Sequence, residues 1–168
     1  RSETLLPNFH CRLAACFLFQ FLPSASTVPI YKLVHKPLQL LISKIVPNPA
    51  IVDGALMHHD ICIGSQILHM MGGVFEPGTS ACVKRLLRSG MTFVDAGAQC
   101  GYYTLMAARQ VGQHGKVYAF EPDPRNVHLL QKSVAANKYE NRVQIVPLAV
   151  TDTSRGNSVE LFLGEHSG

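Results

Sequence analysis

Asp95, Gly97, Gly101 and Glu121 are the residues whose types and spacing suit chemistry on a nucleotide. They lie in two stretches, Met91–Thr104 (MTFVDAGAQCGYYT) and Val117–Pro122 (VYAFEP). Thr92-Phe93-Val94 is a short run of strand formers, stopped by Asp95 and a glycine-rich turn. After Gly101 the spacing becomes helical. Strand, glycine turn, helix and a second strand ending in an acid make half of a nucleotide-binding α/β unit. Gly97 and Gly101 lack side chains, so backbone and ligand can approach closely and positive φ is open to both. The helix that follows turns free N–H groups toward the crevice. Glu121 is placed to accept hydrogen bonds from a ribose diol.

The dinucleotide fingerprint G-x-G-x-x-G holds a pyrophosphate on a helix N-terminus. Here the pattern is D-x-G-x-x-x-G, with an acid inside the turn. A carboxylate at Asp95 repels a diphosphate and suits a ligand carrying an ammonium and a sulfonium. That favours S-adenosylmethionine over NAD as cofactor.

Three blocks in order, GGVFEPG (Gly72–Gly78), Thr92–Leu130 and NRVQIVPLAVTD (Asn141–Asp152), resemble the FkbM family of S-adenosylmethionine-dependent methyltransferases. The resemblance implies a Rossmann-like class I fold, an α/β doubly wound parallel sheet. It places Asp95, Gly97, Ala98 and Gly101 at the methionine end of the cofactor, Glu121 on the ribose, and Leu148 and Ala149 near the adenine. Tyr102, Thr104 and Pro122 complete the expected cofactor-binding set with Glu76 of the FEP motif. Glu76 either orders the methionine end or the substrate, or it merely complements a helix dipole. Gln99 and Cys100 stand where the family usually has Asn and an aliphatic residue. Ser133 often finds Asn in its place, a difference expected to concern helix packing.

The implied reaction is methyl transfer to an oxygen of a sugar, glycolipid or polyketide-like natural product. The sulfonium is a good leaving group, so proximity, alignment and a base for the hydroxyl proton are what a protein adds. The sequence names no base. Tyr102 and Tyr103 border the crevice as packing or as a lid. Cys100 lacks an activating partner and is set aside as a nucleophile.

A chain of 168 residues with 47% hydrophobic and 15% charged residues is one globular domain's worth. The net charge of +4 is localised: residues 1–50 carry five basic residues against Glu3, and the remainder balances. The nucleotide-binding part therefore has no basic excess for tracking phosphates, and nucleic acid is not an expected partner. Five cysteines, odd in number and without a C-x-x-C pair, read as reduced buried thiols rather than disulfides or a zinc site. His58-His59-Asp60 reads as surface histidines, because neighbours on an extended segment point to opposite sides. No metal is expected.

Residues 1–50 form a basic, Pro-interrupted extension, and 51–168 a partial methyltransferase domain. Leu13–Leu22 is too short to span a bilayer but has the layout of a signal or anchor segment. A membrane association through residues 13–22 stays open beside a cytoplasmic location. A short helix is expected over Leu38–Ile45, a weak strand over Asp60–Ile63 and helical turns over Ser65–Met71. Glu76–Arg88 reads as a helix with Pro77 in its first turn, an apolar stripe of Ala81, Val83, Leu86 and Leu87, and Gly90 as its stop. Strands Thr92–Asp95, Lys116–Glu121 and Arg142–Val146 alternate with helices, the second opened by Asp123 as N-cap and Pro124 at N1. Val127, Leu129, Leu130 and Val134 give that helix its core face, and Val159–Leu163 reads as a last strand.

Three core strands are the N-terminal half of such a sheet, so the chain is expected to be a fragment, inactive alone, with Thr92–Asp95 at an unpaired edge. A non-catalytic cofactor-binding remnant and an NAD-dependent oxidoreductase half-domain are the competing readings.

Overall fold

A computed structural model describes residues 44–60, 66–152 and 160. The helix expected over Leu38–Ile45, apart from its last two residues, most of the Asp60–Ile63 strand, the Val159–Leu163 strand and the Leu13–Leu22 segment lie outside the described residues. So do Cys11, Cys16 and Cys62.

The chain first makes a hairpin of β1 (Ala50–Val52) and β2 (Ala55–Met57), paired antiparallel. Asp53 and Gly54 both have positive φ, 48° and 79°, which is the two-residue turn whose twist matches the strands it joins. Then follow α1 (Gln66–Gly72), α2 (Pro77–Leu86), β3 (Thr92–Ala96), α3 (Tyr102–Val111), β4 (Lys116–Phe120), α4 (Pro124–Ala136) and β5 (Val143–Val146). The strands β3-β4-β5 form a parallel sheet in that order, with Thr92 opposite Lys116 and Val117 opposite Val143. Parallel neighbours joined through helices are what the strand–helix alternation requires.

Helix α3 is the centre of the packing. Tyr102, Leu105 and Met106 join a core with the hairpin and α1. Ala107, Ala108 and Val111 join a second core with Val117 and Ala119 of the sheet and Leu130 and Val134 of α4. The two alanines keep the sheet-facing side thin, so the backbone approaches the strands closely. Helix α4 is tied to the hairpin by polar bonds. The Asn137 side chain accepts from the Leu56 N–H (2.9 Å) and donates to the Leu56 carbonyl (2.6 Å), which mimics a neighbouring strand. Ser133 Oγ accepts from the His58 N–H (2.8 Å) and donates to Leu129 O (2.9 Å). Ser133 thus does more than pack the helix: it docks the hairpin.

Asp123 caps α4 as its sequence indicates, accepting from the Arg125 N–H at 2.8 Å, with Pro124 in the first turn. Val127, Leu130 and Val134 are buried and Leu129 is half-buried. Gly112 ends α3 with φ 69°.

Several expectations are corrected. The apolar stripe expected of α2 is only half realised: Leu87 at its C-cap is buried and Val83 packs half-buried against both cores, but Leu86 is 61% exposed and Ala81 is exposed. Its cap is the extended Leu87, and Gly90 lies further on, its N–H bonded to Val111 O. Among the described residues strand β3 pairs with β4 alone, and Val94 is 58% exposed. His59 is buried, with Nε2 3.0 Å from Pro47 O, because the loop after the hairpin folds back on residues 47–48. Cys82 is exposed on the thinly packed α2 rather than buried.

The Arg125 side chain hydrogen-bonds to Asp123 and holds that carboxyl below the usual aspartate range. Its stabilising effect is complete above the ordinary value of 3.8 and is lost as pH falls through the lowered folded value. Asp123→Ala is therefore expected to cost about 1 kcal/mol near pH 7, the usual loss of an N-cap. Urea titrations of both proteins should show that gap shrinking as the pH drops below 3.8.

Candidate functional site

The carboxyl ends of β3 and β4 are bound together by the glycine turn. The N–H groups of Gly97 and Ala98 both donate to Phe120 O at 2.9 Å, and Gly101 N–H closes a turn on Ala98 O at 2.8 Å. Three residues take positive φ here: Gly97 (84°), Gln99 (48°) and Gly101 (101°). A Cβ on Gly101 would stand 2.3 Å from Leu130 Cδ1, so the turn sits directly against α4. Gly97 has open space instead, and only its backbone conformation asks for glycine.

Glu121 holds this turn from below. Its Oε2 accepts from the Gln99 N–H at 2.8 Å, and its Oε1 accepts from the Asp123 N–H at 2.9 Å and from Asn126 Nδ2 at 3.3 Å. The residue is 5% exposed, and these donors compensate a buried charge. Asn126, which sequence reasoning missed, is one of them. Its position in the first turn after an N-cap is a weak signal for such a role.

Asp95 is buried at the end of β3 and accepts from Thr104 Oγ1 at 2.6 Å. Gly101, at the N-cap of α3, has no side chain for capping, and Asp95 takes the Thr104 backbone N–H as well. Burial pushes the Asp95 carboxyl above the usual aspartate range; the Thr104 bonds pull the other way and the Glu121 charge adds to the rise. Burial likewise pushes the Cys100 thiol up to about 11, so it carries no thiolate at neutral pH, in line with its exclusion as a nucleophile.

A cavity of about 230 Å³ opens above the turn. Of the residues singled out from sequence, Glu76, Asp95, Gly97, Ala98 and Tyr102 line it. Gly101, Thr104, Glu121 and Pro122 do not line it, although Thr104 bonds the lining Asp95 and Glu121 accepts from the N–H of the lining Gln99. Leu148, 62% exposed, and half-buried Ala149 follow β5 and do not line it. Gln66, Met70 and Phe75 are lining residues that carried no sequence signal beyond Phe75's place in the FEP motif. Phe75 and Tyr103 each stack near Tyr102, with ring centroids 4.9 and 5.0 Å away in edge-to-face arrangement. Ser80 Oγ donates to Phe75 O at 3.1 Å, so the Tyr102 hydroxyl 3.1 Å away donates to Ser80. Tyr103 Oη donates to Glu76 Oε2 at 2.7 Å.

A parallel α/β sheet with a glycine turn after its first strand and an acid ending the next is the Rossmann-like, doubly wound architecture. Residues 95–167 match the family model described as "Methyltransferase FkbM domain". A protein-L-isoaspartate O-methyltransferase of Methanothrix thermoacetophila is 34% identical over 55 residues, which is 33% of this chain and 26% of that protein. The chain thus spans about a quarter of the length of the curated relative it matches. Among solved structures, an S-adenosylmethionine-dependent O-methyltransferase of Thermotoga maritima is 29% identical, covering 48% of this chain and 30% of that one, at a TM-score of 0.39. Methanocaldococcus jannaschii Trm5 in complex with adenosine is 20% identical, with 60% and 28% covered and a TM-score of 0.43. A complex of aTrm5 with tRNALeu is also similar, at 19% identity and a TM-score of 0.42. These partial overlaps say nothing of this chain's acceptor, and they lend no support to excluding nucleic acid as a partner.

The raised Asp95 carboxyl means that the folded state holds its proton more tightly than the unfolded chain. Stability falls as pH rises from 3.8 through the folded value, and the penalty persists above it. Asp95→Asn, which keeps an oxygen for Thr104, is expected to raise the melting temperature at pH 7 and to leave it unchanged at low pH. Melting curves at both pH values check this; a lower melting temperature at pH 7 would mean that the ionised carboxylate stabilises the turn.

Proposed function

We propose that this chain binds S-adenosylmethionine in the cavity and along the carboxyl edge of the sheet, and that the protein it belongs to methylates a hydroxyl oxygen on a sugar, glycolipid or related natural product. The observation that carries the cofactor reading is the chemistry of the cavity wall. Two carboxylates, Glu76 and Asp95, and three aromatic rings, Phe75, Tyr102 and Tyr103, line it. Its described lining contains no Lys, Arg or His. Such a wall attracts an ammonium or sulfonium through charge and through the electron-rich ring faces, and it repels a diphosphate. NAD is disfavoured on the same ground.

The bound cofactor supplies a methyl group already activated by its sulfonium. The chain's part is to hold that ligand. Gly97 and the turn give it room, Asp95 and Glu76 place negative charge beside its cationic end, and Glu121 offers its remaining lone pairs to the ribose diol. The sequence resemblance and the balanced charge of residues 51–168 support a small or glycan acceptor over a polyanion.

Calorimetric titration of the chain with S-adenosylhomocysteine, with NAD as control, tests the cofactor reading. Micromolar binding of the former alone supports it; NAD binding in preference would establish the oxidoreductase alternative. A cooperatively folded chain that binds neither would be a non-catalytic remnant. For the acceptor, the full-length protein given methyl-labelled cofactor should label a glycolipid or glycan pool, and label appearing in total tRNA instead would overturn that assignment.

Glu121→Ala is expected to weaken S-adenosylhomocysteine binding by about 1.5–3 kcal/mol, the range for a hydrogen bond to a charged group. It also orphans the Gln99 and Asp123 N–H groups, so a separate folding cost of about 1–3 kcal/mol is expected in urea. Loss of stability with unchanged affinity would make Glu121 a scaffold residue alone.

A further inference from the structure

The even charge balance of residues 51–168 conceals a separation. Glu76, Asp95, Glu121 and Asp123 gather at the carboxyl edge of the sheet, where the one nearby base, Arg125, is paired with Asp123 at 2.7 Å. The bases collect at the opposite edge. Helices that return a chain between parallel strands end beside the strand starts, so α2 and α3 bring Lys84, Arg85 and Arg109 there in their last turns. Arg88 follows α2, Lys116 opens β4 and Arg142 precedes β5. Against these the edge carries Asp53, which pairs with Lys84 at 2.6 Å, and Glu140.

The middle of this edge is continuous. The Arg88 N–H lies 3.3 Å from Met91 Sδ, Met91 O accepts from the Lys116 N–H at 3.1 Å, and Lys116 Nζ donates to Asn141 O at 2.8 Å, next to Arg142. Arg85, Arg88 and Lys116 are exposed. Between and beside them stand two large apolar side chains in water, Leu86 (61% exposed) and Met91 (45%). Bases in a last helical turn offset the helix dipole, which accounts for Lys84, Arg85 and Arg109. It accounts neither for Lys116 nor for the apolar pair set among the bases.

Exposed bases interleaved with exposed apolar side chains suit an interface that is anionic at its surface and apolar just beneath. A nucleic acid offers the first property without the second. Bound here it would also lie about 17 Å from the cavity, the length of the five-residue β3, and the acids at that far end repel phosphate. Among the described residues no helix is long and apolar enough to cross a membrane, so the contact is with a surface.

We infer that the amino edge of the sheet, through Arg85, Arg88 and Lys116 with Leu86 and Met91 entering the headgroup layer, rests on an anionic bilayer surface. In this pose the cavity at the carboxyl edge faces the aqueous side. The inference does not depend on which cofactor the cavity holds.

Sedimentation of the full chain with vesicles tests it, using phosphatidylcholine alone and phosphatidylcholine with about a third phosphatidylserine. Binding is expected to the second composition and to fall with added salt. The combined variant Arg85→Gln, Arg88→Gln and Lys116→Gln should weaken it about a hundredfold, a few-fold for each base. All three side chains are exposed, and an unchanged urea midpoint shows that the variant remains folded. Lys132→Gln, which removes an exposed base beside the hairpin instead, should leave binding unchanged. Leu86→Ser should weaken binding several-fold, a loss that docking of phosphates alone would not show. Equal binding to both compositions would overturn the inference, as would a folded triple variant that binds like the wild type or a wild-type chain that binds neither. Tighter binding to total tRNA, lost in the triple variant and kept in Leu86→Ser, would overturn it in favour of nucleic acid. Titration with S-adenosylhomocysteine reports the opposite edge, so the cofactor reading stands or falls separately.

Discussion

The knot at Glu121 is the constraint on which the rest of the site depends. A carboxylate removed from water is tolerated when its charge is met by donors that cost nothing to orient, and backbone N–H groups fixed by secondary structure are such donors. Here one comes from the glycine turn, at Gln99, and one from the entry to α4, at Asp123. Glu121 itself continues β4, its N–H bonded to Val146 O of β5. One residue therefore joins the ends of β4 and β5 through its backbone, and the turn and the helix beside them through its side chain. The turn cannot lift without uncovering a buried charge.

Around that knot two aspartates play opposite parts. Asp123 is stabilised in its ionised form by Arg125 and by the first turn of α4, so it strengthens the fold at neutral pH. Asp95 is ionised at a cost, because burial outweighs the help of Thr104. A group that weakens the fold while lining its cavity is what a binding site requires and a scaffold avoids. The stability that offsets it comes from α3, which fills two cores at once, one against the hairpin and one against the sheet.

The strand–turn–helix–strand–helix–strand succession was legible in the sequence because each boundary has a local cause. Gly97, Gly101 and Gly112 take the positive φ their positions need, and Asp123-Pro124 opens a helix by chemistry contained in neighbouring residues. What was not legible depended on distant partners. The Asp53-Gly54 turn had a recognisable dipeptide, yet the hairpin is held by Asn137 and Ser133, some eighty residues away. The stripe assigned to α2 obeys helical spacing, but spacing does not reveal how wide a surface waits to receive it: Val83 and Leu87 are packed, and Leu86 faces solvent. His59 looked like a surface residue until the chain before the hairpin folded over it.

The site shows the same division. Asp95, Gly97 and Ala98 announce themselves as a turn at a strand end, because close approach and backbone freedom are properties of single residues. The anionic, aromatic character of the cavity is a property of four segments brought together: α1 with Gln66 and Met70, the α1–α2 loop with Phe75 and Glu76, the turn, and the start of α3. An acid inside a glycine turn suggests a cationic ligand, but one carboxylate does not decide it, since a neighbouring lysine would cancel the effect. The decisive fact is what surrounds it. The described wall adds a second carboxylate and three rings, so the field at the cavity keeps one sign. The sign of such a field is set by tertiary structure, and a short glycine motif does not carry it alone.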